Sequence, residues 1–295
     1  MASMREIKRR KGSIQSTAQI TKAMKLVSTV KFQKAKGRAE GSKPYFDKMY
    51  QTVSSILAKS GSIMHLYLTA GTSKKKAVIV VTSNRGLAGG YNSSIVKLVA
   101  DADIKKEDAL LYTVGRKGRD TLSSRGYSVQ KDYSDIIEAP AYADAAAIGR
   151  DVLKAYADGE VGEIWLAYTS FKNTVVHIPR LVKLLPVDKE SSGEAMKAAG
   201  ADTDIDTKIS VPMNYEPEPE EVLSAVIPKY VCSLIYGALM EAVASENGAR
   251  MTAMDNATSN AEEMIDHLTL SYNRARQGAI TQEITEIVSG SEALA

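Results

Sequence analysis

Few residues in this chain have the type and spacing that chemistry needs. Residues 83–92 read SNRGLAGGYN, a glycine-rich stretch between an apolar run and a helical one. Backbone N–H groups in such a place can cradle a phosphate. The spacing is wrong for it: Gly86, Gly89 and Gly90 do not give G-x-G-x-x-G, and no G-x-x-x-x-G-K-[ST] occurs. The stretch therefore reads as a tight strand-to-helix turn whose glycines supply positive φ. The three histidines, His65, His177 and His267, are far apart and form no i,i+4 pair, so neither a metal site nor a triad is supported. Serines are plentiful, but no G-x-S-x-G marks a nucleophile. Cys232, the single cysteine, excludes an internal disulfide and a multi-cysteine metal site. It reads as a small residue packed on a helix and fits a reducing compartment. No catalytic constellation emerges.

Charge is the other resource. The net charge over 295 residues is only +3, so the chain is no polycation. Yet residues 1–43 hold twelve Lys or Arg against two acids, Glu6 and Glu40. Clustered cations neutralise phosphates, which favours a nucleic-acid reading. Against it, these cations share a helix with an apolar seam, and no nucleic-acid motif accompanies them. A protein partner with an acidic lining would serve the same charges. On these grounds a protein scaffold ranks ahead of a nucleic-acid binder, and both ahead of an enzyme. No uninterrupted apolar run approaches the ~20 residues of a membrane span, and no secretory signal follows the basic start. The expectation is a soluble intracellular chain.

The elements that must position these residues are two long helices and a sheet. From Pro228 to about Ser289 no further proline interrupts the chain. Leu239, Val243, Met254, Ala257, Ala261, Met264, Leu268, Ala275 and Ala279 recur there at sums of three and four, a helical stripe. At 1.5 Å per residue such a helix is a rod of roughly 90 Å, too long to bury its stripe in one globule. Residues 4–57 give a second helical pattern. Ile20, Ala23, Met24, Val27 and Val30 share one face, and Ile7 and Ile14 extend that seam. Pro44 is expected to kink or break this helix. The two helices are expected to pair antiparallel over a thin seam of Ala, Thr and Met.

Between them the period changes. Residues 77–82, 109–114, 127–129 and 163–168 read as short buried strands, alternating with helices near 93–100, 117–124 and 141–157. Such alternation predicts a small, mostly parallel α/β sheet. A strand at 175–184 is expected to pair antiparallel at an edge. Residues 186–208 read as a flexible loop, and EPEPEE at 216–221 opens a short helix at 222–227 before Pro228 restarts the chain. The organisation is thus an amino-terminal helix (1–58), a central α/β domain (75–190), a flexible loop (191–217) and a carboxyl-terminal helix (218–295).

The ends narrow the choice. ITKAMKLV at 20–27 and the run from ARMTAMDNAT to LTLSYNRARQGAITQEITEIVSG resemble the gamma subunit of F-type ATP synthases. TSNRGLAGGYN at 82–92 is similar to that family's segment after the first strand. The resemblance spans the whole chain in order. It implies an α+β fold: a long antiparallel coiled coil of both terminal helices plus a small Rossmann-like α/β domain. It also implies a non-catalytic central shaft inside three alpha and three beta subunits, standing on a membrane c ring beside an epsilon subunit, one copy per complex. ATP, ADP and Mg would be held by alpha and beta, with no cofactor in this chain and no nucleic acid as partner. Lys22, Met24, Lys25, Arg250, Arg276 and Gln277 match positions that meet alpha and beta subunits, and Tyr215 and Glu216 match positions near the c ring.

The chain departs from that pattern at several places. Lys11 and Gly12 stand where an apolar residue is usual, Asn84 where Asp is usual, and Gly248 and Gly278 where Ala is usual. The glycines are expected to soften the helix, at about 1 kcal/mol each relative to Ala. The cysteine-bearing insertion of chloroplast relatives is absent, so thiol regulation is not expected. No transit peptide is read, which implies a bacterial protein at the cytoplasmic face of the plasma membrane.

Overall fold

The computed structural model describes residues 4–59, 65–173, 176–187 and 218–292. The loop expected at 191–217 lies outside them, as do Tyr215 and Glu216. The chain forms two compact units, one of Met1–Ser28 with Met251–Ala295 and the other of Thr29–Arg250.

Two helices dominate: α1, Met4–Lys59, and a terminal helix, Pro219–Glu292. Both continue through an internal proline: Pro44, where a kink or a break was expected, and Pro228, where a short helix was expected to end and the chain to restart. An internal proline costs ~3 kcal/mol by removing a helix hydrogen bond. Packing on either side offsets that cost. Ile227, Tyr230 and Val231 flank Pro228 in the core. Beyond Pro44, the Phe46 ring lies 3.3 Å from the position a Cβ would take on Gly237, and edge-on to Tyr236. Part of the terminal helix has a mean hydropathy of 1.6 over 18 residues, enough to cross a membrane, but half of that window is buried in the protein itself.

In the first unit the two helices run antiparallel. The Thr21 and Thr258 hydroxyls meet at 2.7 Å, and Lys25, further along α1, reaches back to Asp255 at 2.5 Å. Burial follows a seven-residue repeat on α1: Ile7, Ile14, Thr21, Ser28. On the terminal helix it alternates by four and three through Met254, Thr258, Ala261, Ile265, Leu268, Tyr272, Ala275 and Ala279. That is a coiled-coil seam. It corrects the expected one. Ile20, Ala23 and Val27 face solvent, Met24 is half-buried, and Met264 is exposed while Ile265 turns inward. The repeat begun by Ile7 and Ile14 continues as Thr21 and Ser28, and hydrophobicity patterning passes over those hydroxyl residues.

The second unit is built on a sheet. Among the described residues its strands are β1 Lys76–Val81, β2 Ala109–Val114, β3 Ser128–Asp132, β4 Glu163–Phe171 and β5 His177–Leu185, in the order β3-β2-β1-β4-β5. β1 pairs parallel with β2 and β4, β2 parallel with β3, and β4 antiparallel with β5. Helices α2 (Tyr91–Asp101), α3 (Arg116–Ser124) and α4 (Tyr142–Ala157) make the crossovers; Pro219–Glu292 is α5. Alternate residues of β1 feed the two faces. Ala77, Ile79 and Val81 pack with α4, α5 and the Val53–Ile56 end of α1. Val78 and Val80 pack against Ile95, Val99 and Leu122 of α2 and α3. β3 extends past its expected end as SVQKD, a polar edge strand that invites no further pairing.

Candidate functional site

Strand order reverses between β1 and β4, and in an open parallel sheet the crevice beyond their carboxyl ends is where ligands bind. Here that crevice is occupied by the chain's own α5. The Tyr91 hydroxyl donates to the Ala242 carbonyl at 3.2 Å, and Arg250 reaches the Gly86 carbonyl at 3.4 Å. Arg250 also donates to Glu246 at 2.7 Å. Burial holds the Tyr91 phenol well above its ordinary pKa.

The glycine-rich turn is likewise spent on its own fold. Thr82 Oγ1 accepts the Gly118 N–H at 2.9 Å, Asn84 Oδ1 accepts the Arg116 N–H at 3.1 Å, and the Ser83 carbonyl accepts the Lys117 N–H at 3.0 Å. The amides opening α3 are therefore satisfied by the turn that follows β1. Ser83 N–H donates to Asn92 Oδ1 at 2.9 Å, closing the turn. Positive φ falls on Gly89 and on Leu87 at 63°, an uncommon conformation for a side chain of that size, and not on Gly86 or Gly90. Asn84 uses both ends of its amide, since Nδ2 also donates to the Ser134 carbonyl at 2.8 Å. An aspartate, usual there by the family resemblance, could accept but not donate.

The remaining polar candidates are structural. His65 accepts the Tyr67 N–H on Nδ1 and meets the Ser224 hydroxyl at 2.9 Å through Nε2. The His177 ring lies beside Phe171 and within 3.0 Å of the position a Cβ would take on Gly248. Cys232 is buried beside Gly149, and burial pushes its thiol up, away from the reactive thiolate. Among the described residues no group of three His, Cys, Asp or Glu could hold a metal.

The surface is the more telling feature. In the first unit Ile20, Leu26 and Val27 of α1 are each more than half exposed, as are Met264, Leu270, Ile284 and Ile287 of α5. Lys22 stands free in solvent among them, and Arg276 and Gln277 are exposed on α5. Lys25 is bound to Asp255. Arg250 belongs to the second unit, and its side chain is only 12% exposed. The sequence-predicted contact residues are thus not alike. Lys22, Arg276 and Gln277 are presented, Met24 and Lys25 are half-engaged, and Arg250 is turned inward. Glu246 and Tyr91, which hold Arg250's end of the crevice, were not anticipated. The i,i+4 spacing of Glu246 and Arg250 was the available signal.

Fold and surface together define a class of chain: two terminal helices paired antiparallel, a doubly wound sheet domain inserted between them in sequence, and apolar residues left facing outward. A family model described as ATP synthase matches residues 3–294. The ATP synthase gamma chain of Lachnoclostridium phytofermentans is 64% identical over 294 residues, covering 100% of both chains. The sodium ion specific gamma chain of Acetobacterium woodii is 45% identical over 298 residues, covering 99% of this chain and 98% of its own. A chain in the central stalk and c-ring structure of the Tetrahymena thermophila mitochondrial ATP synthase is 28% identical, with a TM-score of 0.56 over 81% of this chain and 99% of that one. One from the Euglena gracilis mitochondrial ATP synthase is similar in fold, with a TM-score of 0.70 at 18% identity over 99% and 94%. This chain belongs to the ATP synthase gamma chain family.

Proposed function

We propose that this chain is the rotor shaft of the F1 sector, turning inside a ring of three alpha and three beta subunits and itself catalysing nothing. The observation that carries the reading is the outward apolar set on the paired helices: Ile20, Leu26 and Val27 on one, Ile280, Ile284 and Ile287 on the other. Their own seam does not cover these residues, and a sleeve of surrounding subunits would. The shaft is not threefold symmetric, because a pair of unlike helices presents a different face in each direction. Three chemically identical beta subunits then meet three different surfaces, and each site's population among open, loose and tight states shifts by differential contact. Torque from a proton-driven c ring turns the pair and carries every site through the same sequence.

The residue roles follow. Lys22, Met24 and Lys25, with Arg276 and Gln277, face alpha and beta; Lys22 supplies positive charge toward an acidic loop, a complementarity that steers and registers contact. Arg250 acts at the edge of that set. Tyr215 and Glu216 face the c ring, beside an epsilon subunit. ATP, ADP and Mg belong to alpha and beta, and the complex sits at the cytoplasmic face of the bacterial plasma membrane. Purification through a tag on this chain tests the reading. Alpha and beta subunits in equal number, three of each per copy of this chain, are expected. Recovery without them, together with a salt-sensitive shift of nucleic acid, would overturn it in favour of a basic coiled-coil nucleic-acid binder.

A further inference from the structure

A cavity of about 480 Å³ lies inside the second unit, between the β4–β5 end of the sheet and the helices α1 and α5. Its size falls within the range of small-molecule sites. The floor is one face of the antiparallel pair: Leu166 and Tyr168 from β4, and Val182 and Leu184 from β5. Phe46 of α1 and Leu234 and Ala238 of α5 close the sides. These surfaces are apolar, and the strand and helix backbones hold them in place.

Polar side chains line it as well, Arg180 among them. Arg180, opposite Tyr168 in the β4–β5 register, lines the cavity, and its Nε is buried with no hydrogen-bond partner among the described residues. A buried donor on a charged group is costly to leave unmade. Glu241, also in the lining, accepts the Phe171 N–H through Oε2 at 3.1 Å and so is already engaged. Lys36, paired with Glu40 at 3.6 Å, and Lys172 are exposed parts of the lining, so its cations outnumber the carboxylates Glu40 and Glu241 by one. Guanidinium forks match carboxylates in two parallel hydrogen bonds. At ~30 Å³ per water the volume corresponds to about sixteen waters. An apolar body of about ten carbons with a single acidic head fits both the space and the charge.

We propose that this cavity is a binding site for a small amphipathic carboxylate, its head on Arg180 and its chain along the β4–β5 face between α1 and α5. Such a ligand would touch four elements of the unit at once and so stabilise the unit by mass action. The inference stands independently of the rotor reading, since it concerns only residues of the second unit.

Calorimetric titration of the full chain with decanoate tests it, with 1-decanol and decylamine as probes of equal length and different head. Saturable one-to-one binding of decanoate is expected, at least tenfold tighter than either analogue. Arg180→Met should weaken decanoate at least tenfold while leaving decanol unchanged, and Arg180→Lys should lose less. Binding by decanol or decylamine as tight as by decanoate would overturn the proposal, and needs no variant to fold. So would the absence of saturable decanoate binding, or unchanged binding in folded R180M.

Discussion

Arg250 donates to Glu246 one turn back on α5 at 2.7 Å, with both side chains nearly buried, at 12% and 13% exposure. Glu246 nonetheless keeps a pKa above its ordinary value, because burial outweighs the attraction of Arg250 and Lys31. The pair sits in the crevice where a doubly wound sheet would otherwise take a ligand. Its role is to seat α5 on the glycine-rich turn through the Gly86 carbonyl.

Removing one partner should therefore cost more than removing both. Arg250→Met strands a buried carboxylate, and a loss of about 3 kcal/mol at neutral pH is expected from urea unfolding. Glu246→Gln in the same chain should recover most of it. The sign of the pH dependence is fixed by the raised pKa. Glu246's contribution is full below its unfolded value of 4.5 and declines as pH rises through the folded value. Without Arg250 that folded value rises further, so R250M should lose less at pH 5 than at pH 7. A pH-independent loss would contradict this linkage.

Gly248 and Gly278 should behave oppositely when changed to Ala. A Cβ on Gly248 would stand 3.0 Å from His177 Cε1 and 3.7 Å from the Phe32 ring, so this glycine makes room for an imidazole. Gly278 has nothing within 4 Å. Gly278→Ala should raise stability by about 0.5–1 kcal/mol through helix propensity. Gly248→Ala should lower it by about 1 kcal/mol through overpacking. Denaturant midpoints decide both. Only Gly278 remains a clean site for testing torsional compliance, and equal single-molecule stiffness in Gly278→Ala would remove that role.

The Thr21–Thr258 contact offers two hydroxyl protons to three bonds. Besides meeting each other at 2.7 Å, Thr21 lies 3.1 Å from the Ala18 carbonyl and Thr258 2.8 Å from the Met254 carbonyl. Only two of the three can form at once. Either single Thr→Val change leaves a buried hydroxyl able to satisfy itself on its own helix, so a loss of only about 1 kcal/mol is expected. The double change should cost less than the sum of the singles. A double-mutant cycle on thermal unfolding would show it, and strict additivity would mean the two hydroxyls are not coupled.

The order of elements was legible because β1, β2 and β4 are buried on both faces, so their apolar runs stand out from the helices between them. The antiparallel edge was legible from the short connection before β5. What periodicity misassigned was the interhelical seam. A strong apolar set, Ile20, Val27 and Val30, outweighs Thr21 and Ser28 in any hydrophobicity pattern, although the latter pair is buried. In an isolated chain the seam would claim the stronger set. In a subunit whose outer face also needs apolar residues, the two demands compete along one helix. The amphipathic arginine was ambiguous for a similar reason. Arg250's position in the motif spoke for a surface, and the carbonyl it reaches, that of Gly86, lies more than a hundred residues away in sequence.

Lys22 and Lys25, three positions apart in the motif, should separate under charge reversal. Lys22 is exposed, so Lys22→Glu should leave unfolding unchanged within about 0.5 kcal/mol, as most surface changes do. If it faces an acidic loop, ATP-driven proton pumping by the assembled complex should fall while the subunits still assemble. Lys25→Glu places a carboxylate against Asp255 in place of a 2.5 Å ion pair. A partly exposed pair contributes little, so a loss of about 0.5–1 kcal/mol in stability is expected. Adding Asp255→Lys restores an opposite-charge pair across the helices and should recover that stability. It does not return a cation to position 25, so any pumping deficit caused by lost contact with a partner should persist. Stability and pumping recovering together would assign Lys25 to the helix pair alone, leaving Lys22 as the partner-facing charge.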